Sequence, residues 1–301
     1  MEIVKKPLDV STRVGSARLN GRTIGFVPTM GALHEGHASL VRMARNQTDY
    51  VVVSIFVNPK QFGPGEDFNR YPRNIEKDSE LLRKLGCDLL FTPSPEDVYS
   101  PGERTRVLVR GMTETLCGRF RPGHFDGVAL VVAKLFNIVR PDKAFFGQKD
   151  AQQAVIVQRM TYDLDFPVRI VLGPIVREKD GLAMSSRNVY LSADERKRAV
   201  ALFEALSRAK ELIVSGERRV EPIRDEMLAI MKGAEINVDY AEIVEGATLT
   251  PVKAVEGKIL IAVAGRLGAT RLIDNFALEV NDGSVKDILL EFPEWSRYGW
   301  P

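Results

Sequence analysis

Short, continuous apolar runs alternate with segments of helical periodicity through the first half of the chain. "RTIGFVPT" (22–29) reads as a strand, "HASLVRMARNQ" (37–47) as a helix and "YVVVSIFVNP" (50–59) as a second strand. "RNIEKDSELLRKLG" (73–86) is helical and stops at Gly86, the residue type that most readily supplies a left-handed helix end. The strand "CDLLFTPS", the helix "GVALVVAKLFNIVRP", the strand "KAFFGQKD", the helix "DAQQAVIVQRMTYDLD" and the strand "VRIVLGP" complete the series. Strands that are apolar throughout are buried on both faces, and their alternation with helices predicts a parallel sheet covered on each side. The expected fold class is α/β, with a doubly wound, Rossmann-like domain over residues 1–175.

Past Pro174 the pattern changes. "PIVREKDGLAMSSRNVYL" (174–191) is a polar connector, and Ser192 with Glu195 three positions on forms a capping-box signature for a helix. A second helix begins near Glu221, and strands follow at "VDYAEIV", "KILIAVAG" and "RLIDNFALEV". Helices followed by neighbouring strands predict a smaller α+β domain over residues 176–280. Residues 281–301 form a tail with an apolar stretch and two tryptophans, Trp295 and Trp300, to which the pattern assigns no role.

Composition narrows the function. The 42 basic and 40 acidic residues leave a net charge of +2, too even for a general attraction to nucleic acid or an anionic membrane. Basic residues do cluster locally, as in "GRFRPGH" with Arg119 and Arg121, which suits a small anion. The two cysteines, Cys87 and Cys117, lack metal-type spacing, so a reducing cytoplasm is the expected home. No apolar run approaches the roughly 20 residues of a membrane span, and "MEIVKKPLDV" has no signal-type apolar core.

Candidate chemistry centres on "PTMGALHEGH" (28–37), which holds two of the three histidines, His34 and His37. Zinc proteases place histidines at i and i+4 with a glutamate between them, whereas this pair is at i and i+3, and His124 is far away in sequence. The loop instead leaves a predicted strand, passes Gly31 and Gly36, and enters a helix whose first N–H groups favour an anion. Imidazoles there can donate to phosphate oxygens or carry positive charge as phosphoryl charge develops. The pattern is neither a P-loop nor a dinucleotide fingerprint.

"HEGH" resembles the H-x-G-H signature of the nucleotidylyltransferase and class I aminoacyl-tRNA synthetase superfamily, and "AMSSRN" (183–188) resembles its second, phosphate-binding signature. The longer strings "PTMGALHEGH", "SIFVNPKQF", "FFGQKDAQQ", "DGLAMSSRN" and "RLGATRLIDN" occur in the order and spacing of the pantothenate synthetase family, over the chain to about residue 280. That resemblance implies an AMP-forming acid–amine ligase. Pantoate attacks the α-phosphate of ATP to give pantoyl-adenylate, and β-alanine then displaces AMP.

The resemblance also implies roles. His34 and His37 stabilise phosphoryl charge, with His37 given acid character, and Lys149 and Arg187 pair with phosphates. ATP contacts are Met30, Gly31, His34, Gly36, His37, Gly147, Lys149, Asp150, Val176, Met184, Ser185, Ser186 and Arg187. Gln61 and Gln153 serve pantoate, Gln61 also β-alanine, with Asn58, Phe56 and Arg121 as neighbours. Mg²⁺ is expected mainly through ATP phosphates, with Asp150 a possible ligand. A homodimer is implied, with no nucleic-acid or membrane partner. An exposed acyl-adenylate would hydrolyse, so the small domain and connector are expected to close over it by a hinge near Pro174.

Simpler readings exist for each element. Asn58-Pro59 suits a plain strand-ending turn, "MSSRN" a polar linker, Gln153 a solvated helix face, and "RLGATRLIDN" a structural or subunit contact. Another H-x-G-H nucleotidylyltransferase would need basic residues in place of Gln61 and Gln153. A synthetase acting on tRNA is disfavoured by the near-neutral charge and the lack of room for an anticodon-binding domain. A non-catalytic nucleotide-binding regulator would be expected to have lost groups that all stand here.

Overall fold

The computed structural model describes residues 1–292. Trp295 and Trp300 lie outside the described residues. The first part of the chain runs β1 (Glu2–Val4), α1 (Pro7–Leu19), β2 (Ile24–Thr29), α2 (Glu35–Gln47), β3 (Tyr50–Ile55), α3 (Ile75–Lys84), β4 (Leu89–Phe91), α4 (Pro95–Val98), α5 (Leu116–Phe120), α6 (His124–Val139), β5 (Lys143–Gly147), α7 (Ala151–Asp163) and β6 (Arg169–Gly173). All six strands are parallel, in the order β1-β4-β3-β2-β5-β6. The central strands are apolar because both faces are covered. Phe26, Val52, Leu89 and Phe146 belong to one buried cluster, and Val27, Val53, Leu90 and Phe145 to the other.

The chain then builds α8 (Ala193–Arg198), α9 (Ala201–Val214), α10 (Val220–Gly233), β7 (Asn237–Glu245), β8 (Gly257–Leu267), β9 (Thr270–Asn281) and β10 (Ser284–Asp287). These strands form an antiparallel sheet in the order β10-β9-β8-β7. Alternate residues of β8 face opposite ways. Ile259, Ile261 and Val263 pack with Leu202, Leu206, Ile223 and Met227 of the helices, while Leu260, Ala262 and Ala264 join the core of the first domain. The small sheet is thus buried on both faces and packs directly against the larger unit.

The pattern assigns no element to the segment before residue 22, which forms β1 and a helix, and the expected helix from Ser192 is broken into α8 and α9. The chain after β10 is part of the fold: Leu290 and Phe292 are buried in the first core. Gln158 donates to Leu290 O and accepts from Phe292 N, and Glu291 accepts Leu172 N at 2.7 Å. This strap is tied to α7 and, through Glu291, to the edge strand β6. No helix among the described residues is long and apolar enough to cross a membrane.

Candidate active site

β2 and β5 are neighbours although β3 and β4 separate them in sequence, so the strand order reverses between them. Crevices at such reversals, beyond the carboxyl ends of the strands, are where open α/β sheets bind ligands. The H-x-G-H loop leaves β2 at this point, and Gly147, Lys149 and Asp150 leave β5 beside it.

The loop is held in an uncommon shape. Gly31 (φ +84) and Ala32 (φ +50) are both left-handed, and a Cβ on Gly31 would stand 2.9 Å from Ile55 Cγ2. Asp78 of α3 fixes the turn, its two carboxylate oxygens accepting the N–H groups of Ala32 and Leu33, each at 2.9 Å. Asp78 is buried, and that burial raises its pKa against the lowering effect of these two bonds.

His34 caps α2. Its Nδ1 accepts Gly36 N–H at 3.1 Å, while His37 Nδ1 accepts His34 N–H at 3.3 Å, a reciprocal capping box made from two imidazoles. The ring centroids are 4.1 Å apart. An Nδ1 that accepts a bond leaves the ring proton on Nε2, so each neutral ring keeps one N–H to offer. Burial, then the charge of Lys149, lowers the His34 pKa to about 4, and burial, then His34, lowers that of His37 to about 3. Burial thus favours the neutral form of both rings, in which each has an N–H to donate. The expectation that the rings carry positive charge as phosphoryl charge develops concerns the reacting complex, whereas this burial favours the neutral ring before ligand enters.

Lys149 Nζ stands 4.0 Å from Asp150 Oδ2, beyond hydrogen-bond range. Asp150 faces the cleft; burial raises its pKa, and the charges of Lys149 and Arg187 more than reverse this. Arg187 lies on the connector and is engaged with Asp67 through Nε at 2.8 Å and Nη2 at 2.9 Å. Ser185 Oγ accepts Arg187 N–H at 3.2 Å, and Ser186 Oγ meets Tyr71 OH at 3.0 Å.

Opposite the histidines is a corner of amides. Asn58, after β3, is buried and donates to Gly127 O and to Gln61 Oε1, both at 3.0 Å. A Cβ at Gly127 of α6 would stand 2.2 Å from Lys60 O, so only glycine lets the Asn58–Gln61 turn lie on that helix. Tyr99 OH donates to Asn58 Oδ1 at 2.7 Å. These bonds orient both amides, and Gln61 is left with its NH₂ turned toward Met30 Sδ at 3.1 Å. Arg121 grips Glu66 through Nε at 2.7 Å and Nη2 at 2.6 Å, which takes the Glu66 pKa to about 2 despite its burial. His124 joins this group, with Nδ1 donating to Gln61 O at 2.7 Å and Nε2 accepting from Arg121 at 3.1 Å.

A cavity of about 210 Å³ gathers these groups: Met30, His34, Gly36, His37, Phe56, Asn58, Gln61, Arg121, Gly147, Lys149, Asp150, Gln153, Val176, Met184, Ser185, Ser186 and Arg187 all line it. Gly31 lies off its wall and acts through the loop's shape. A larger cleft of about 750 Å³ between the two sheets adjoins the cavity and shares Lys149, Asp150, Gln153 and Arg187 with it.

Residues 2–277 match the family described as Pantoate-beta-alanine ligase. The chain belongs to the pantoate–β-alanine ligase family. A pantothenate synthetase of Caldicellulosiruptor saccharolyticus is 53% identical over 281 residues, 93% of this chain and 100% of that relative. The pantothenate synthetase structure from Thermus thermophilus superposes with a TM-score of 0.87 at 46% identity, covering 91% of this chain and 98% of that one. The pantoate–β-alanine ligase of Francisella tularensis, whose crystals held βγ-ATP and β-alanine, superposes with a TM-score of 0.77 at 32% identity, covering 92% and 97%.

Within this ligase the sequence pattern does not single out Asp78, which fixes the loop's turn, or Tyr99, Glu66, Asp67 and Tyr71, each of which holds a cavity-lining group in place. They stand alone among ordinary polar segments, and only the folded contacts reveal them. His124 is legible as the third histidine, but nothing in the pattern places it in the site. Among the described residues, no group of three or more His, Cys, Asp or Glu side chains is arranged to hold a metal ion.

Proposed function

We propose that this ligase joins pantoate to β-alanine through pantoyl-adenylate, consuming ATP and releasing AMP and pyrophosphate. The observation that carries the reading is that His34, His37 and Lys149 line one small cavity together with a fixed amide corner. The first set suits phosphate oxygens, the second a small hydroxy acid.

In the first step a pantoate carboxylate oxygen bonds to the α-phosphorus as the bond from that phosphorus to the bridging oxygen breaks, and pyrophosphate leaves with that electron pair. The charge gathers on phosphoryl oxygens, where His34, His37 and Lys149 donate. As neutral rings the histidines act by hydrogen bonding, so no proton transfer from His37 is required. Gln61 and Gln153 hold pantoate in line for attack. In the second step the free amine of β-alanine attacks the acyl carbon, the bond from that carbon to the phosphate oxygen breaks with its electron pair leaving on AMP, and the nitrogen gives up its proton to solvent water. Mg²⁺ suits this site as an ion carried by the phosphates and water, with Asp150 the carboxylate beside it; when bound it neutralises phosphate charge.

We also propose that the domain from residue 176 closes the larger cleft about a hinge near Pro174, shielding the mixed anhydride from water. A cytoplasmic homodimer completes the reading, tested by cell fractionation and sedimentation equilibrium. The test of mechanism uses pantoate labelled with ¹⁸O in its carboxylate. One label transferred to AMP, with pyrophosphate forming before β-alanine is added, supports the adenylate; unlabelled AMP refutes it.

A further inference from the structure

"RLGATRLIDN" found no function in the sequence, yet its last residue reaches across to the nucleotide side of the cleft. Asn275 on β9 is 3% exposed. Its Nδ2 donates to Gln148 O and to Lys149 O, each at 3.0 Å. A flipped amide would set its oxygen against two carbonyls, so the orientation is determined by chemistry. The same turn is held from the other side, where Leu290 N–H donates to Gln148 Oε1 at 3.2 Å. The turn gains no cap of its own, because Asp150 at the start of α7 makes no side-chain cap bond. Asn275 is itself held, its N–H bonded to Asp274 Oδ1 at 2.8 Å. Asp274 in turn takes Arg177 of the connector in a two-point ion pair at 2.6 and 3.0 Å.

We infer that Asn275 is a positioning residue for the reaction: from the second domain it fixes the backbone of Gln148 and Lys149, and so aims the Lys149 side chain at the ATP phosphates. The inference rests on the proposed ATP site. It adds that the small domain builds this site as well as covering it. Lys149 reaches its target through a flexible four-carbon stem, so a turn free to rotate would spread the ammonium over many positions.

The test is calorimetric binding of a non-hydrolysable ATP analogue and, separately, of pantoate to the full chain, with melting temperature alongside. Asn275→Ala removes both donated bonds. It should weaken the analogue about tenfold while pantoate binding changes less than about twofold. A merely structural residue would lower the melting temperature and either spare both ligands in the folded protein or weaken them equally, and that result overturns the inference. Asn275→His keeps one ring N–H near the Nδ2 position and should give an intermediate loss for the analogue alone. It decides the matter if the alanine variant does not fold. Wild-type protein that binds no ATP analogue would instead refute the ATP site itself, an outcome separate from equal binding by wild type and variant.

Discussion

Acidification from about pH 7.5 to 5.0 should weaken this fold through its histidines. The folded pKa is about 4 for His34 and about 3 for His37, against 6.5 for the free side chain. A histidine whose folded pKa is depressed binds fewer protons than it does in the unfolded chain between those two values. Stability is therefore full above 6.5 and falls as pH drops through that window. At about pH 5.0 the unfolded ring lies roughly 1.5 pH units below its pKa and has gained the matching protonation free energy, while the folded ring has gained almost none. The difference is about 2 kcal/mol for each ring and about 4 kcal/mol for the pair. That is a large part of the roughly 5–15 kcal/mol typical of a folded domain. The comparison is with His34→Asn combined with His37→Gln, which keeps oxygen acceptors for the same backbone N–H groups and does not titrate. Urea unfolding at both pH values should show wild type losing about 4 kcal/mol more than the double variant. His124, also at about 4, is present in both proteins and cancels. Equal losses would mean that the two rings titrate normally in the folded state, and the neutral-donor argument would fall.

Asp78→Asn can accept only one of the two loop N–H groups and turns an NH₂ toward the other; a local loss of about 1–3 kcal/mol should appear as a raised KM for ATP with an altered melting temperature. Tyr99→Phe removes the hydroxyl that orients Asn58 and, through it, Gln61, while keeping the ring that lies 4.2 Å from Lys60 Nζ. KM for pantoate should rise roughly 2- to 10-fold with KM for ATP unmoved, and an equal rise in both would count against the relay. Asp274→Ala strands Arg177, 18% exposed, without its carboxylate. Denaturant unfolding should register a loss of about 3–5 kcal/mol.

The parallel sheet is readable because its strands are continuously apolar, and "YVVVSIFV" can serve little else. The helix Pro7–Leu19 is not, since its inward face is only Val10, Val14 and Ala17 among serines, threonine and glycine. The break between α8 and α9 leaves no proline or glycine in the sequence to mark it. The cavity wall is largely legible through the order of its motifs, whereas Asp78, Tyr99 and Asn275 act by bonds to backbone or to other amides. Such bonds depend on which strands become neighbours, and local pattern does not record that. The tail resists for the same reason: its short apolar stretch has no evident partner until Gln158 of α7 and Gln148 are beside Leu290 and Phe292.

The two arginines of the site are already satisfied by the adjacent acids Glu66 and Asp67. An incoming anion must therefore compete with a carboxylate in a fitted, two-point pairing rather than settle onto a bare guanidinium. A ligand that brings only one charged group gains little from displacing either acid. On the proposed reading, a triphosphate that also meets Lys149 and the histidine donors would offset the lost pairing elsewhere, so the two acids would set a threshold on the number of phosphates a ligand must bring.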